Sequence, residues 1–100
     1  MFRGTTPTLN FKFKYNLEEL NITAFYLTFK QNEEIKLEKS IDELEISGDT
    51  VTINLTQEET LSLDSNNVVY IQARIKVDGK AYATNIIKTS LESILKEGVI

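Results

Sequence analysis

Histidine and cysteine are both missing from this sequence, and each absence excludes a class of chemistry. Histidine is the commonest general base and metal ligand, so imidazole-based catalysis and imidazole metal sites are excluded. Without cysteine there is no disulfide, no thiolate nucleophile and no thiolate metal site. Carboxylates can still do acid–base work, but neighbouring acids on a strand point to opposite faces. The carboxylate-rich spots Glu33-Glu34, Asp42-Glu43-Glu45 and Glu58-Glu59 are therefore typical of solvated surface. We therefore expect a protein that is not an enzyme and holds no cofactor and no metal.

Long apolar runs are missing too. No segment approaches the ~20 apolar residues of a membrane span, and Met1 to Gly4 lacks the features of a signal peptide. Eleven basic and 15 acidic residues give a net charge of −4, so no overall field attracts nucleic acid or anionic lipid. The sequence predicts a soluble, unprocessed protein, cytoplasmic on synthesis, with neither a nucleic-acid nor a membrane partner.

What the sequence does contain is strand-type alternation of apolar and polar residues, and its longest run is Val68 to Ile87. Asp78-Gly79 tolerates positive φ, which favours a two-residue turn and therefore a β-hairpin. In that register the opposed pairs are Ile75 with Tyr82, Ala73 with Thr84, and Ile71 with Ile86. A bulge at Gly79 would shift the partners to Ala81, Ala83 and Asn85. We prefer the first register because the second buries Asn85.

Shorter segments typical of strands precede the hairpin: Leu9 to Tyr15, Ile22 to Lys30, Ile35 to Leu37, Leu44 to Ile46, and Val51 to Leu55. In the second of them we expect the face formed by Phe25, Leu27 and Phe29 to be core. Thr56 and Glu59 have the spacing of a capping box, which predicts one helical turn near Thr56 to Leu61. After the hairpin, the spacing of Leu91, Ile94 and Leu95 fits a helix, although the same residues could continue the strand.

Short strands separated by turn signals predict an all-β protein. We expect a single domain over residues 1–100, an antiparallel immunoglobulin-like β-sandwich of six to eight strands. Pro7 and Gly4 lie in a stretch with no apolar period, so residues 1–8 are predicted to form an extended N-terminal arm.

The residues most suited to contact a partner are aromatic or lie on the arm. Tyr26 and Tyr70 fall on the outward side of their strands, and exposed tyrosines commonly mark interfaces. The candidate interaction surface is therefore Arg3, Pro7, Tyr26 and Tyr70. Asp64 to Asn67 begins like a calcium-binding loop but lacks its later glycine and bidentate glutamate, which favours a capped turn.

Four stretches of the chain resemble a family of short proteins encoded among the tail and baseplate genes of phages and prophages of Gram-positive bacteria. They are Arg3 to Thr8 (RGTTPT), Leu55 to Leu61 (LTQEETL), Val69 to Arg74 and Glu97 to Ile100. The resemblance runs nearly end to end, but its motifs identify no active residue. It implies an immunoglobulin-like sandwich and a role in tail assembly or baseplate structure. The acidic, lysine-rich stretch Glu33 to Ser40 departs from the family.

Two functions are consistent with these observations. The first is a non-enzymatic phage structural or interaction protein, located in the virion if it is a tail component. Its partners would be copies of itself or neighbouring tail proteins, contacted through exposed strand edges and the arm. The alternative is a carbohydrate- or calcium-dependent surface-binding module that uses Tyr26, Tyr70 or Tyr82 as stacking faces and Asp64 to Asn67 as a ligand loop.

Overall fold

A computed structural model describes all residues from 1 to 100, and eight β-strands dominate it. The strands are β1 (Thr8–Lys12), β2 (Ile22–Gln31), β3 (Glu34–Ser40), β4 (Glu45–Ser47), β5 (Thr50–Asn54), β6 (Val68–Val77), β7 (Lys80–Ala83) and β8 (Ile87–Ser90). One short helix, α1 (Gln57–Leu61), and two 3₁₀ turns (Leu17–Glu19 and Ile41–Glu43) complete the fold. None of the helices has the length and apolar character needed to cross a bilayer.

The strands form two antiparallel sheets, one ordered β1-β5-β4 and the other β3-β2-β6-β7, with β8 also paired to β6. These are the strand orders B-E-D and C′-C-F-G of an immunoglobulin-like sandwich. The helical turn α1 lies on the connection from β5 to β6, between the two sheets. The predicted all-β antiparallel sandwich of six to eight strands with one helical turn is confirmed.

The core lies between the inner faces of the two sheets, and β2 and β6 contribute much of it. Phe25, Leu27 and Phe29 are 1%, 2% and 0% exposed, as their alternation predicts. The Phe13 and Phe25 rings pack in a T-shaped arrangement with their centroids 5.9 Å apart. The remaining buried apolar residues are Leu17, Val51, Ile53, Leu55, Leu63, Val69, Ile71, Ala73 and Leu91.

The central hairpin has the predicted turn and, near the turn, the predicted register. Asp78 and Gly79 have φ values of 49° and 81°, which match the right-handed strand twist, and Ile75 lies opposite Tyr82. At the far end the prediction is wrong, because Ile71 pairs with Ile87 and not with Ile86.

Thr84 causes this one-residue shift. It still lies against Ala73 and donates its amide to the Ala73 carbonyl at 3.0 Å. In return, however, the Ala73 amide bonds to the Thr84 hydroxyl at 3.1 Å, while the Thr84 carbonyl accepts from the Gln72 side chain at 2.9 Å. Because a side chain replaces the backbone carbonyl in the ladder, the outer strand is interrupted between β7 and β8.

The N-terminal segment is docked on the domain and does not form a free arm. Thr8 already belongs to β1, and Phe2 makes a parallel bridge with Glu92. The predicted strand Leu9 to Tyr15 ends early, at Lys12, because its neighbour β5 begins opposite that residue at Thr50.

The predicted helix over Leu91 to Leu95 is not formed. Leu91 is 1% exposed while Leu95 is fully exposed, so their spacing does not mark one buried face. The Leu91 carbonyl accepts a hydrogen bond from the Asn66 amide at 2.8 Å, a long-range contact that takes the place of a helical bond. The alternative, in which the same residues continue the strand, is not formed either, because β8 ends at Ser90.

A buried lysine joins β3 to α1. Lys39 faces inward and its ammonium pairs with the carboxylates of Glu43, at 3.1 Å, and Glu59. Glu59 also accepts from the Thr56 amide at 2.9 Å, so the predicted capping box is formed. Burial opposes the ionisation of Glu59, but the hydrogen bonds from Lys39 and the Thr56 amide outweigh it and lower the pKa of Glu59. The hydrogen bond from Lys39, followed by that from Ser40, lowers the pKa of Glu43.

A lowered carboxyl pKa stabilises the fold above the unfolded-state value of about 4.3, and this stabilisation is lost as the pH falls through the folded-state value. Glu59→Gln keeps an oxygen for the cap but loses the charge. We expect it to reduce the free energy of unfolding by about 1–3 kcal/mol at pH 7, and the difference from wild type to shrink toward pH 3. Urea unfolding at both pH values measures this. Glu58→Gln, at an exposed neighbour without an ion pair, is the matched control, and an equal effect of Glu59→Gln at both pH values would contradict the assignment.

Candidate functional site

The outer face of the larger sheet brings two predicted interaction residues together. In β2 and β6 every second side chain points away from the core, and the register places Tyr26 opposite Arg74 and Lys30 opposite Tyr70. Thr28 and Gln72 form the pair between them. Tyrosines and cations therefore alternate diagonally across two adjacent strands.

The neighbouring strands extend this pattern. On β3, Ile35 lies beside Lys30 and is 59% exposed. On β8, Lys88 lies opposite Tyr70, with its Nζ 5.7 Å from the ring centroid, within the range of a cation–π interaction. Tyr26 is 46% and Tyr70 is 38% exposed. Lys76, two residues after Arg74 in β6, is exposed and lies opposite Ala24. We call this surface the tyrosine–cation face, and it consists of Tyr26, Lys30, Ile35, Tyr70, Arg74, Lys76 and Lys88.

The four cations of this face have no acidic partner within the chain. The seven ion pairs of the structure involve none of Lys30, Arg74, Lys76 and Lys88. The register places one carboxylate, Glu38, on the outer side of β3 beside Thr28. Since the whole chain carries a net charge of −4, this face is electropositive on an otherwise acidic protein.

The other two predicted interaction residues lie elsewhere. Arg3 donates to the carbonyls of Leu61 and Leu63, both at 2.9 Å, and pairs with Glu97. Its guanidinium therefore links the N-terminal segment to the end of α1 and to the C-terminal segment. Pro7 is half-buried, and its carbonyl accepts from the Leu55 amide at 3.1 Å. Neither residue belongs to the tyrosine–cation face.

These contacts join three of the motifs that carry the family resemblance. Arg3 of RGTTPT donates to the carbonyl of Leu61, the last residue of LTQEETL. Thr5 of the same motif accepts at its carbonyl from the Thr60 hydroxyl of LTQEETL at 2.8 Å. Glu97 of the last motif completes the cluster through Arg3. Three of the four motifs are thus joined by hydrogen bonds and an ion pair.

The loop proposed to bind calcium, Asp64 to Asn67, makes contacts with other residues of the protein through Asp64. The Asp64 carboxylate lies 3.4 Å from the ammonium of Lys36, and this hydrogen bond raises the pKa of the lysine. The Asp64 backbone is held by the amide of the buried Gln31. The structure contains no group of three or more acidic residues that could hold a metal ion.

Tyr82 does not share a face with the other two tyrosines. It lies opposite Ile75 and lines an apolar cleft of about 420 Å³ at one end of the sandwich. Phe13, Tyr15, Leu20 and Val77 are among the other residues of this cleft. The three stacking residues of the carbohydrate hypothesis therefore do not form one platform.

One spacing associated with nucleophilic catalysis occurs in the chain, the Ser-x-x-Lys of Ser93 and Lys96. Both residues are exposed and lie in the irregular segment after β8.

The residues of the tyrosine–cation face that sequence reasoning missed are Lys30, Ile35 and Lys88. Lys30 has the same parity in its strand as Tyr26, which was a usable signal, whereas the positions of the other two depend on which strands pair.

No family model matches the chain, and no curated protein or solved structure shows significant similarity to it. The family resemblance of the four motifs accordingly remains a prediction.

Proposed function

We propose that this protein is a non-enzymatic assembly module of a phage tail or baseplate that binds a neighbouring protein through the tyrosine–cation face. The observation that carries the proposal is the set of exposed tyrosines and unpaired cations on one rigid sheet. Tyrosine and arginine are enriched at the centres of protein interfaces, where they supply apolar area and directed hydrogen bonds with little loss of entropy. The phage context rests on the resemblance of the motifs.

The position of the residues on strands adds support. Tyr26, Tyr70 and Arg74 stand on β2 and β6, the two ten-residue strands of the larger sheet. The inner side chains of these strands are buried in the core, and the outer side chains stand on regular β-structure. No loop therefore has to become ordered when a partner binds. Such preorganisation lowers the entropic cost of association.

The location is tested by mass spectrometry of purified virions from the strain that encodes the protein. We expect the chain in the virion fraction, and its confinement to the soluble lysate would contradict the tail assignment.

The tyrosine–cation face is tested by binding of the purified chain to isolated tails. Tyr70→Ala and Arg74→Ala should each weaken this binding by about 10-fold or more. Asn10→Ala, at an exposed position of β1 in the other sheet, is the control.

The carbohydrate- or calcium-dependent module is separated by thermal unfolding. An increase in Tm with calcium or with cell-wall sugars, lost in Tyr70→Ala or in Asp64→Ala, would favour that module over assembly. The proposal requires no increase.

A further inference from the structure

We infer that the tyrosine–cation face binds an acidic flank of a second copy of the same chain, so that copies associate head to tail. This inference rests on the proposed function and names its partner. Because two different surfaces of one molecule take part, each copy can contact two neighbours, and the product is a ring or an open chain.

The acidic flank lies on the side of the sandwich where β3 leads into β4. It consists of five carboxylates on the second 3₁₀ turn, β4 and α1: Asp42, Glu43, Glu45, Glu58 and Glu59. The ion pairs of Lys39 with Glu43 and Glu59 bring the 3₁₀ turn and α1 together. Lys39 has a side chain only 11% exposed, so it offers little positive charge to a partner.

Three of the carboxylates are free to bind. Asp42, Glu45 and Glu58 are exposed and take part in no ion pair. Ile41 and Leu44, which directly precede Asp42 and Glu45 in the chain, are half-buried and pack against the core. The acidic flank therefore complements the tyrosine–cation face in charge.

The charges also disfavour the simpler arrangement in which two tyrosine–cation faces meet. A symmetric dimer through this face would bring four cations of one copy against four of the other, with one Glu38 from each copy to offset them. Like charges brought together at an interface oppose association, whereas the acidic flank offers the opposite sign. A single strand of nucleic acid would meet the same cations but would be repelled by the acidic remainder of the chain.

The experiment uses two charge-reversed variants of the full chain and sedimentation velocity. Lys30→Glu/Arg74→Glu reverses two of the four cations of the face, and Asp42→Lys/Glu45→Lys reverses two of the three free carboxylates of the flank without touching Lys39. Wild type should associate at about 50 mM salt and dissociate at about 500 mM, where the Debye length is shorter. Each variant alone should lose at least about 100-fold in association constant.

Mixing the two variants is the decisive measurement. In the equimolar mixture each reversed surface meets its new complement, so association should return to near the wild-type level. Lys14→Glu/Lys96→Glu, which reverses two charges off both surfaces, should leave association unchanged. Far-UV circular dichroism of every variant confirms that it is folded.

Three results would overturn the inference. They are a wild type that stays monomeric at low salt and high concentration, a mixture that does not recover, and binding of an oligothymidylate to the face with greater affinity than self-association. In the first two cases a chain that is nevertheless found in virions would keep its proposed role with a different acidic protein as its partner. Failure of the proposed function itself would appear as absence from virions, whatever the self-association.

Discussion

Phe29→Ala is expected to lower the free energy of unfolding by about 3–5 kcal/mol, the range for removing a buried ring from a packed core. Phe29 is 0% exposed and lies between Leu37 of β3 and Ile71 of β6. The substitution removes the apolar contacts of the ring and leaves a cavity that the two long strands cannot close. Since the free energy of unfolding of such domains is only about 5–15 kcal/mol, the substitution removes a large part of it.

Equilibrium urea unfolding followed by circular dichroism measures this loss. If Phe29→Ala does not fold, Phe29→Leu should still fold and lose about 1–2 kcal/mol. Lys30→Ala is the control, because it is the next residue of the same strand, is exposed and makes no ion pair; it should change stability by no more than about 0.5 kcal/mol. A loss of less than about 1 kcal/mol for Phe29→Ala would mean that the two sheets do not pack as described.

Gln31→Leu is the second substitution with a large expected effect. The Gln31 side chain is 0% exposed, donates to the Asp64 carbonyl at 2.8 Å and accepts from the Asp64 amide at 2.7 Å. Leucine fills a similar volume but leaves a part-buried N–H and a part-buried C=O without partners. At about 1–3 kcal/mol for each group, the expected loss for the two groups is about 2–6 kcal/mol by urea unfolding.

Gln31→Glu gives this prediction a pH signature. An ionised carboxylate can accept from the Asp64 amide but is repelled by the Asp64 carbonyl, whereas a protonated one can donate to that carbonyl as the glutamine does. The substituted carboxyl therefore has a folded-state pKa above its unfolded-state value of about 4.3. The destabilisation relative to wild type should be largest at pH 7 and decrease as the pH falls toward 4. A loss that does not depend on pH would show that Gln31 acts through packing alone.

The sequence predicted those parts of the fold that neighbouring residues determine. The Asp78-Gly79 turn and the capping box of Thr56 and Glu59 each depend on residues at most three apart, and both are formed as expected. The core face of β2 followed from its alternation.

The errors arose where distant residues compete with local preference. The spacing of Leu91 and Leu95 fits a helix, yet Leu91 is held by Asn66 of the loop before β6. The segment before β1 has no apolar period of its own, and contacts of Arg3 with a helix 58 residues away fix its position. Neither of these two contacts can be predicted from the spacing of apolar residues in the sequence.

The candidate site was half predictable for the same reason. Strand parity placed Tyr26 and Tyr70 outward, but only the pairing of β2 with β6 shows that Lys30 faces Tyr70 and that both tyrosines share one surface. Arg3 and Pro7 were assigned to that surface because the arm was expected to be free.

The interruption between β7 and β8 has a consequence for how the protein behaves when it is concentrated. It divides the outermost strand of the larger sheet into two pieces of four residues each, and the opposite border, β3, carries several charged side chains. In the smaller sheet the border strand β4 has only three residues. Short, broken or charged borders are poor templates for a foreign strand and so resist amyloid-like growth. A domain built in this way can accumulate in many copies while its backbone hydrogen bonds stay within each molecule, which leaves side chains to decide what it joins.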